Sequence, residues 1–343
     1  MKLEARRAAI QAVEYQLPEK VEVGADLARE FPDWAIDKIQ AKTGILRRHI
    51  AEPDQCASDL AVAAARKLFA SGACTPSDVD FVLLCTQTPD YLLPATACVL
   101  QDRLGIPASA GALDFSLGSS GYVYGLAMAQ GLIETGNARN VLLLTADTYS
   151  KLLHPADKSV RLIFGDGAAA TLISAVENAE ARIGPFVFGT DGKGAGNLIV
   201  PAGGMRRPRT PETEVALTDS SGNIRTPENL FMDGGEIFAF ALSRVPALVK
   251  ELLAKAGKTA EQIDLFVPHQ PNRFMLETLR KQLRIPPERF YIHLEDCGNT
   301  VSATIPIALK SAQEAGMLKS GHLVMLVGFG VGYSWGATLV RWL

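Results

Sequence analysis

DFSLGSSGYVYGLAMAQGLIETG, residues 114–136, decides the fold. The apolar stretch AGALDFS (110–116) reads as a strand. Gly118-Ser119-Ser120-Gly121 then makes a sharp turn of small residues, and 120–136 reads as a helix with few polar residues over four turns. A helix that is apolar on nearly every side is buried between layers. A strand feeding straight into such a helix is the building unit of layered α/β proteins.

The same alternation extends both ways. Helical spacing recurs at 58–72, 98–105, 236–257 and 304–316; strand-like runs occupy 80–87, 140–148, 167–175 and 264–270, followed by LVMLVGF and GATLVRWL near the end. Continuous apolar strands imply a buried, at least partly parallel sheet. Two pairs of segments overlay in order: CTPSDVDFVLLCTQTPD (74–90) with KTAEQIDLFVPHQPN (258–272), and FGDGAAATLI (164–173) with YSWGATLV (333–340). The offset of about half the chain implies an internal duplication, with halves at 1–176 and 177–343. PAGGMRRPRTPETEVALTDSSGNIRTPENLF (201–231) reads as a long surface excursion with a basic cluster at Arg206, Arg207 and Arg209.

Composition narrows the function classes. The 343 residues suggest about two domains. An apolar share of 48% and a charged share of 21% exclude intrinsic disorder. With 34 Lys+Arg against 37 Asp+Glu, net charge −3 gives no global case for nucleic acid or an anionic membrane. The cysteines (56, 74, 85, 98, 297) are odd in number and form no C-x-x-C pair, which argues against a disulfide framework and a zinc site. No apolar run reaches the ~20 residues of a membrane span or the pattern of a signal peptide. The chain reads as soluble, reduced and cytoplasmic.

Four places could carry chemistry. Ser119 sits at the turn before a helix, where backbone N–H groups favour negative charge; a helix cap is the alternative role. The G-x-S-x-G elbow is absent. His269 ends an apolar strand, on the edge where open α/β sheets place their sites. Asn299 lies in the loop GNTVSATIP (298–306). GFGVGYSWG (328–336) alternates glycines that let backbone approach a ligand, and it lacks the Lys-Ser/Thr of a phosphate loop.

From KTGILRRHI (42–50) to its end, the chain resembles the β-ketoacyl-acyl-carrier-protein synthase III family of the thiolase superfamily. Seven motifs carry the likeness: KTGI-x-x-RHI, CTQTPDYLLPATACVLQ (85–101), DFSLGSSGYVYG (114–125), IFGDGAAA (163–170), VPHQPN (267–272), GNTVSATIP and GFGVGYSWG. The resemblance implies a duplicated five-layered αβαβα fold and a Cys-His-Asn triad, with His269 and Asn299 in the last two places. It implies no cofactor; CoA and phosphopantetheine thioesters are substrates. An acyl group moves from acyl-CoA to the nucleophile, and the N–H groups of Ser119 and Val331 form the oxyanion hole. His269 and Asn299 then promote decarboxylation of malonyl-acyl carrier protein, and the carbanion attacks the acyl-enzyme. Phe329 covers the nucleophile. Leu92 and Leu93 close the partner's acyl pocket in a homodimer. Lys42, Lys158, Met232, Phe238 and Asn272 match CoA and pantetheine positions. The family's adenine-stacking tryptophan has no match: Lys38 falls there, with Trp34 one turn earlier.

The serious departure is Ser119 in place of the cysteine. A serine alkoxide is far less accessible than a thiolate, and an oxyester is a poorer electrophile than a thioester. Two readings follow: an active-site variant of a condensing enzyme with serine for cysteine, or a natural Ser-type acyltransferase acting on an alcohol, amine or carrier protein without condensation. Lastly, Arg273, Arg280 and Arg284 are spaced to share one helix side near Lys281, a basic stripe suited to an acidic carrier protein.

Overall fold

The computed structural model describes residues 6–177 and 182–343. Two sheets form its frame. The first orders its strands Arg7–Gln16, Gly167–Val176, Asn140–Asp147, Phe81–Cys85, Gly111–Phe115. The second runs Ile183–Thr190, Ser334–Arg341, Leu323–Gly330, Leu265–Pro268. Read in those directions, both begin with two antiparallel pairings and then turn parallel. The first sheet's fifth strand survives in the second as one parallel bridge, Phe266 to Phe290.

The overlay read from sequence is repeated down to its turns. Thr75 and Asp78 form a capping box on the short turn before Phe81–Cys85; Thr259 and Gln262 form its counterpart before Leu265–Pro268. The next aspartates also correspond. Asp80 Oδ2 accepts from Asn140 N, and Asp264 Oδ2 accepts from Leu323 N, each tying a strand start to its parallel neighbour.

Adjacent residues on one strand serve opposite layers, which is why these strands read as unbroken apolar runs. Leu142 and Leu144 pack outward with Leu60 and Leu68 of Ala57–Ala70 and Leu100 of Thr96–Arg103. Val141 and Leu143 pack inward on Leu126 and Ile133 of Gly121–Glu134. That helix and Thr304–Glu314 lie between the sheets, where Ile305 and Leu309 meet Val267 and Leu326. Met325 and Val327 face the last layer, Gly234–Ala256 and Arg273–Gln282, through Leu248, Leu252, Leu276 and Leu279. The result is αβαβα, with the 121–134 helix in the centre as its composition required.

The 201–231 excursion is partly ordered rather than a plain surface loop. Phe231–Met232 pairs with Leu198–Ile199, and Leu217–Thr218 with Ile224–Arg225. Arg225 reaches the buried Asp157 at 2.6 Å and Asp219 at 2.7 Å, pinning the hairpin beside residues 156–158. Arg206, Arg207 and Arg209 stay exposed, with Arg209 paired to Glu228 at 3.2 Å.

Candidate active site

Ser119 is buried at the turn and does not cap the helix. Ser120 occupies that position, with no side-chain capping bond; its hydroxyl instead meets Ser334 Oγ at 2.6 Å. The turn is clamped from two sides. A Cβ at Gly328 would sit 2.8 Å from the Ser119 carbonyl oxygen and the Ser120 Cα, and one at Gly121 would overlap Cys85 Sγ. Backbone therefore approaches the turn closely, and glycine is what permits it. A Cβ placed on Gly330 would lie 3.4 Å from Ser119 Oγ, so the glycine strand forms the wall beside the hydroxyl. Among the described residues, the N–H groups of Ser119 and Val331 are bonded to no turn, loop or side-chain acceptor. They are free for an oxyanion.

His269 extends the strand Leu265–Pro268; its N–H donates to the Val327 carbonyl at 2.8 Å. The ring is buried, stands edge-on to Phe329 at 5.4 Å, and places Nδ1 2.8 Å from Thr304 Oγ1. Burial lowers its pKa from 6.5 to about 3, so the imidazole is neutral near pH 7. Asn299 is held by the IFGDG segment: its N–H donates to the Ile163 carbonyl at 2.9 Å, and its carbonyl accepts from Gly165 N at 3.0 Å. Its side-chain Oδ1 accepts from Val301 N at 2.9 Å, which leaves the Nδ2 donors for the cavity.

The low histidine pKa fixes a sign. Below pH 6.5 an unfolded chain binds a proton at this ring, whereas the native chain resists it until about pH 3. Stability from this residue is therefore lost as pH falls through that window. The buried Asp147 carboxyl, raised to about 7, acts oppositely: its contribution is lost as pH rises through that value. Comparison with His269→Gln isolates the ring. We expect the urea midpoint to fall more steeply from pH 7 to 5 in the parent than in the variant. Equal slopes would contradict a buried neutral imidazole.

One cavity of about 430 Å³ joins Ser119, His269, Asn299, Phe329 and Val331 with Lys42, Met232, Phe238 and Asn272. Its mouth carries Lys42 over the Phe274 ring at 5.2 Å, with Phe274 stacked on Phe238 at 5.4 Å. Asn272 spends Oδ1 on Met275 N, capping the next helix. Lys158 lies outside the cavity lining, toward the Gly222 hairpin, while its neighbour Ser159 lines the cavity. Trp34 stacks on Phe31 at 4.1 Å. Leu92 and Leu93 do not reach this chain's cavity and are each 82% exposed.

The basic stripe needs correction. The helix ends at Gln282, and Arg284 lies beyond it with φ 56°. Arg280 is largely buried, bound to Glu277 at 2.7 Å and to the Ile285 carbonyl at 3.0 Å. It serves the helix end. Only Arg273 and Lys281 remain exposed on the helix, Arg273 paired with Glu295 at 3.2 Å. The reading from sequence extended the helix two residues too far. It also passed over Tyr149, Phe164 and Ile237, which line the cavity, and Thr304, which touches His269.

Comparison with known proteins agrees with this fold. Residues 113–192 match the family described as 3-oxoacyl-[acyl-carrier-protein (ACP)] synthase III, and residues 253–342 match its C-terminal model. A β-ketoacyl-[acyl-carrier-protein] synthase III of Caldanaerobacter subterraneus subsp. tengcongensis is 39% identical over 95% of each chain. A crystal structure of a 3-oxoacyl-(acyl-carrier-protein) synthase III is 58% identical, with TM-score 0.97 over 98% of this chain and 100% of that one. A 3-oxoacyl-(acyl-carrier protein) synthase from Burkholderia xenovorans is 38% identical, with TM-score 0.90 over 98% and 95%.

The fold and these likenesses place the chain among thiolase-fold acyltransferases. Within that class it belongs to the β-ketoacyl-acyl-carrier-protein synthase III family of condensing enzymes.

Proposed function

We propose that Ser119 accepts an acyl group from acyl-CoA and presents it to a carbanion formed from malonyl-acyl carrier protein. The observation that carries this reading is the single cavity that gathers Ser119, His269, Asn299 and Val331. The serine oxygen bonds to the thioester carbonyl carbon, the C–S bond breaks, and CoA leaves as the thiol. The N–H groups of Ser119 and Val331 stabilise the intermediate oxyanion. The malonyl thioester then loses CO2, its enolate held beside His269 by the side-chain donor of Asn299, and attacks the oxyester carbonyl; the C–O bond breaks and the serine oxygen leaves with a proton from solvent. Met232, Phe238 and Asn272 line the path of the pantetheine arm, with Lys42 near the CoA phosphates at the mouth; Lys158 would reach them only from the hairpin side. Intact-protein mass spectrometry with a panel of acyl-CoAs tests the first step: a mass gain localised to Ser119, then discharged by malonyl-acyl carrier protein with release of CO2. Discharge to an alcohol or amine without CO2 would favour simple acyl transfer; no adduct from any acyl-CoA would refute the reading.

The chain acts as a homodimer in this reading. Tyr91, Leu92 and Leu93 expose 60%, 82% and 82% of their surface in succession, an apolar tip that needs a cover. A second copy supplies it, and the tip closes that copy's acyl pocket. Sedimentation at micromolar concentration should show a dimer, and Leu93→Asp should shift it toward monomer. A parent protein that is monomeric there would count against the assignment.

For the carrier, Arg273 is an exposed cation beside the mouth, with Lys281 exposed further along the same helix, and acidic carriers are steered by such charge. Reversing both to Glu should weaken use of malonyl-acyl carrier protein while sparing self-acylation by free acyl-CoA. The difference should shrink once salt brings the Debye length below ~10 Å. Equal losses with both donors would assign these residues to the fold.

A further inference from the structure

Thr304 opens the helix Thr304–Glu314 with its hydroxyl between two buried groups. Oγ1 is 2.8 Å from His269 Nδ1 and 3.1 Å from the Val301 carbonyl oxygen. A hydroxyl has one proton to give. If it goes to Nδ1, the carbonyl loses that donor. If it goes to the carbonyl, Oγ1 is left as an acceptor and Nδ1 carries a hydrogen. The second arrangement satisfies all three groups in one chain, N–H to O–H to O=C, whose links polarise one another. His269 and Thr304 are each only 3% exposed, so little water competes for these groups.

The turn itself demands the same choice. Val301 has φ 55°, a left-handed conformation that a β-branched residue rarely adopts. Asn299 Oδ1 holds its N–H and Thr304 holds its carbonyl. One strained residue is thus fixed by two side chains, and both bonds orient groups of the site. The bond to Val301 N turns the Asn299 amide donors toward the cavity. The bond from Thr304 to Val301 O makes Thr304 an acceptor for His269.

We propose that Thr304 is a positioning residue that holds His269 in its Nδ1–H tautomer, so that the Nε2 lone pair faces the cavity as the base for Ser119. This rests on the acyl-transfer reading above and narrows it: His269 takes the proton, and Asn299 provides the side-chain N–H for the enolate. As Ser119 Oγ bonds to the thioester carbon, Nε2 takes the hydroxyl proton. When the C–S bond breaks, the departing CoA sulfur takes that proton from Nε2, and the ring is neutral again. A cysteine can attack as a pre-formed thiolate; a serine hydroxyl cannot, which makes the tautomer decisive in this chain.

The tautomer is measurable without substrate. In protein labelled with 15N in its imidazoles, the His269 signals, identified by their loss in His269→Gln, should show a protonated Nδ1 and an unprotonated Nε2. Thr304→Ser should keep that pattern; Thr304→Val should move the ring toward the Nε2–H form. Self-acylation by acetyl-CoA should fall by about 10-fold or more in Thr304→Val and recover with serine, within the ~100–10,000-fold range of general-base effects. A parent ring protonated at Nε2 overturns the proposal whatever the variants do, and so does an unchanged tautomer in Thr304→Val. An Nδ1–H ring in a protein that no acyl-CoA acylates overturns the base role through failure of the Ser119 assignment, leaving the tautomer itself established.

Discussion

Replacing Ser119 with cysteine should raise the rate of carbon–carbon bond formation on the order of 100-fold or more. Both half-reactions gain. The turn places residue 119 just before the helix Gly121–Glu134, whose N-terminal N–H groups favour an anion. A thiol uses that field to ionise near neutral pH, whereas a hydroxyl remains protonated and waits for His269. The acyl-enzyme then differs in kind. A thioester carbonyl is weakly conjugated and open to a carbanion; an oxyester is resonance-stabilised. The site has room for sulfur, since Ser119 Oγ faces the Cβ-less Gly330. Quenched-flow assays of acylation and CO2 release in the parent and Ser119→Cys would separate the two gains. If cysteine brings no gain, the site is built around a serine nucleophile, and the Ser-type acyltransferase reading takes precedence over a serine-for-cysteine variant.

The layered fold was legible because burial on both faces leaves a plain mark. LLL at 142–144 and LVML at 323–326 are apolar throughout, as strands between two helix layers must be, and the Gly121–Glu134 helix lacks a polar side. Two of the four edge strands were not legible. Arg7–Gln16 mixes Arg, Gln and Glu with its alanines, and Ile183–Thr190 exposes Phe188; half-covered strands do not carry an unbroken apolar signature. The duplication was visible in two segments because their turns repeat a capping box, a local device that sequence records directly.

The site divides along the same line. Ser119, His269 and Asn299, which line one cavity, could be singled out because each sits in a local motif that punctuates an element. Thr304 was missed because its role depends on a strand end 35 residues away meeting a helix start, a contact no local pattern states. The arginine stripe failed for the opposite reason. Spacing alone put three cations on one side, but helix termination at Gln282 removed Arg284, and Glu277 with the Ile285 carbonyl claimed Arg280. Charge on a helix signals a docking face only when local acceptors have not already taken it.

Asn299→Asp should split the reaction in two. Oδ1 of Asn299 accepts from Val301 N, an arrangement that a carboxylate keeps. The turn should therefore hold, and the change falls on the other side-chain atom: an N–H2 donor facing the cavity becomes an acceptor bearing charge. Decarboxylation builds negative charge on the malonyl thioester oxygen, so the variant loses a donor and adds repulsion where the enolate forms. Loss of one such donor costs about 100–1000-fold, and the added charge pushes toward the upper end. In the proposed mechanism, acylation of Ser119 draws on the N–H groups of Ser119 and Val331 and on His269 Nε2, so it should fall far less. A carboxylate nearby would also favour protonation of the imidazole, which predicts a modest acid-side shift in the acylation profile. The measurements are CO2 release from malonyl-acyl carrier protein and the rate of mass gain at Ser119 with acyl-CoA, each in parent and variant. Asn299→Ala tells charge from lost donor: it should slow decarboxylation less than Asp does. Proportional loss of both steps in Asn299→Asp would mean that the residue serves the loop around Val301, not the enolate.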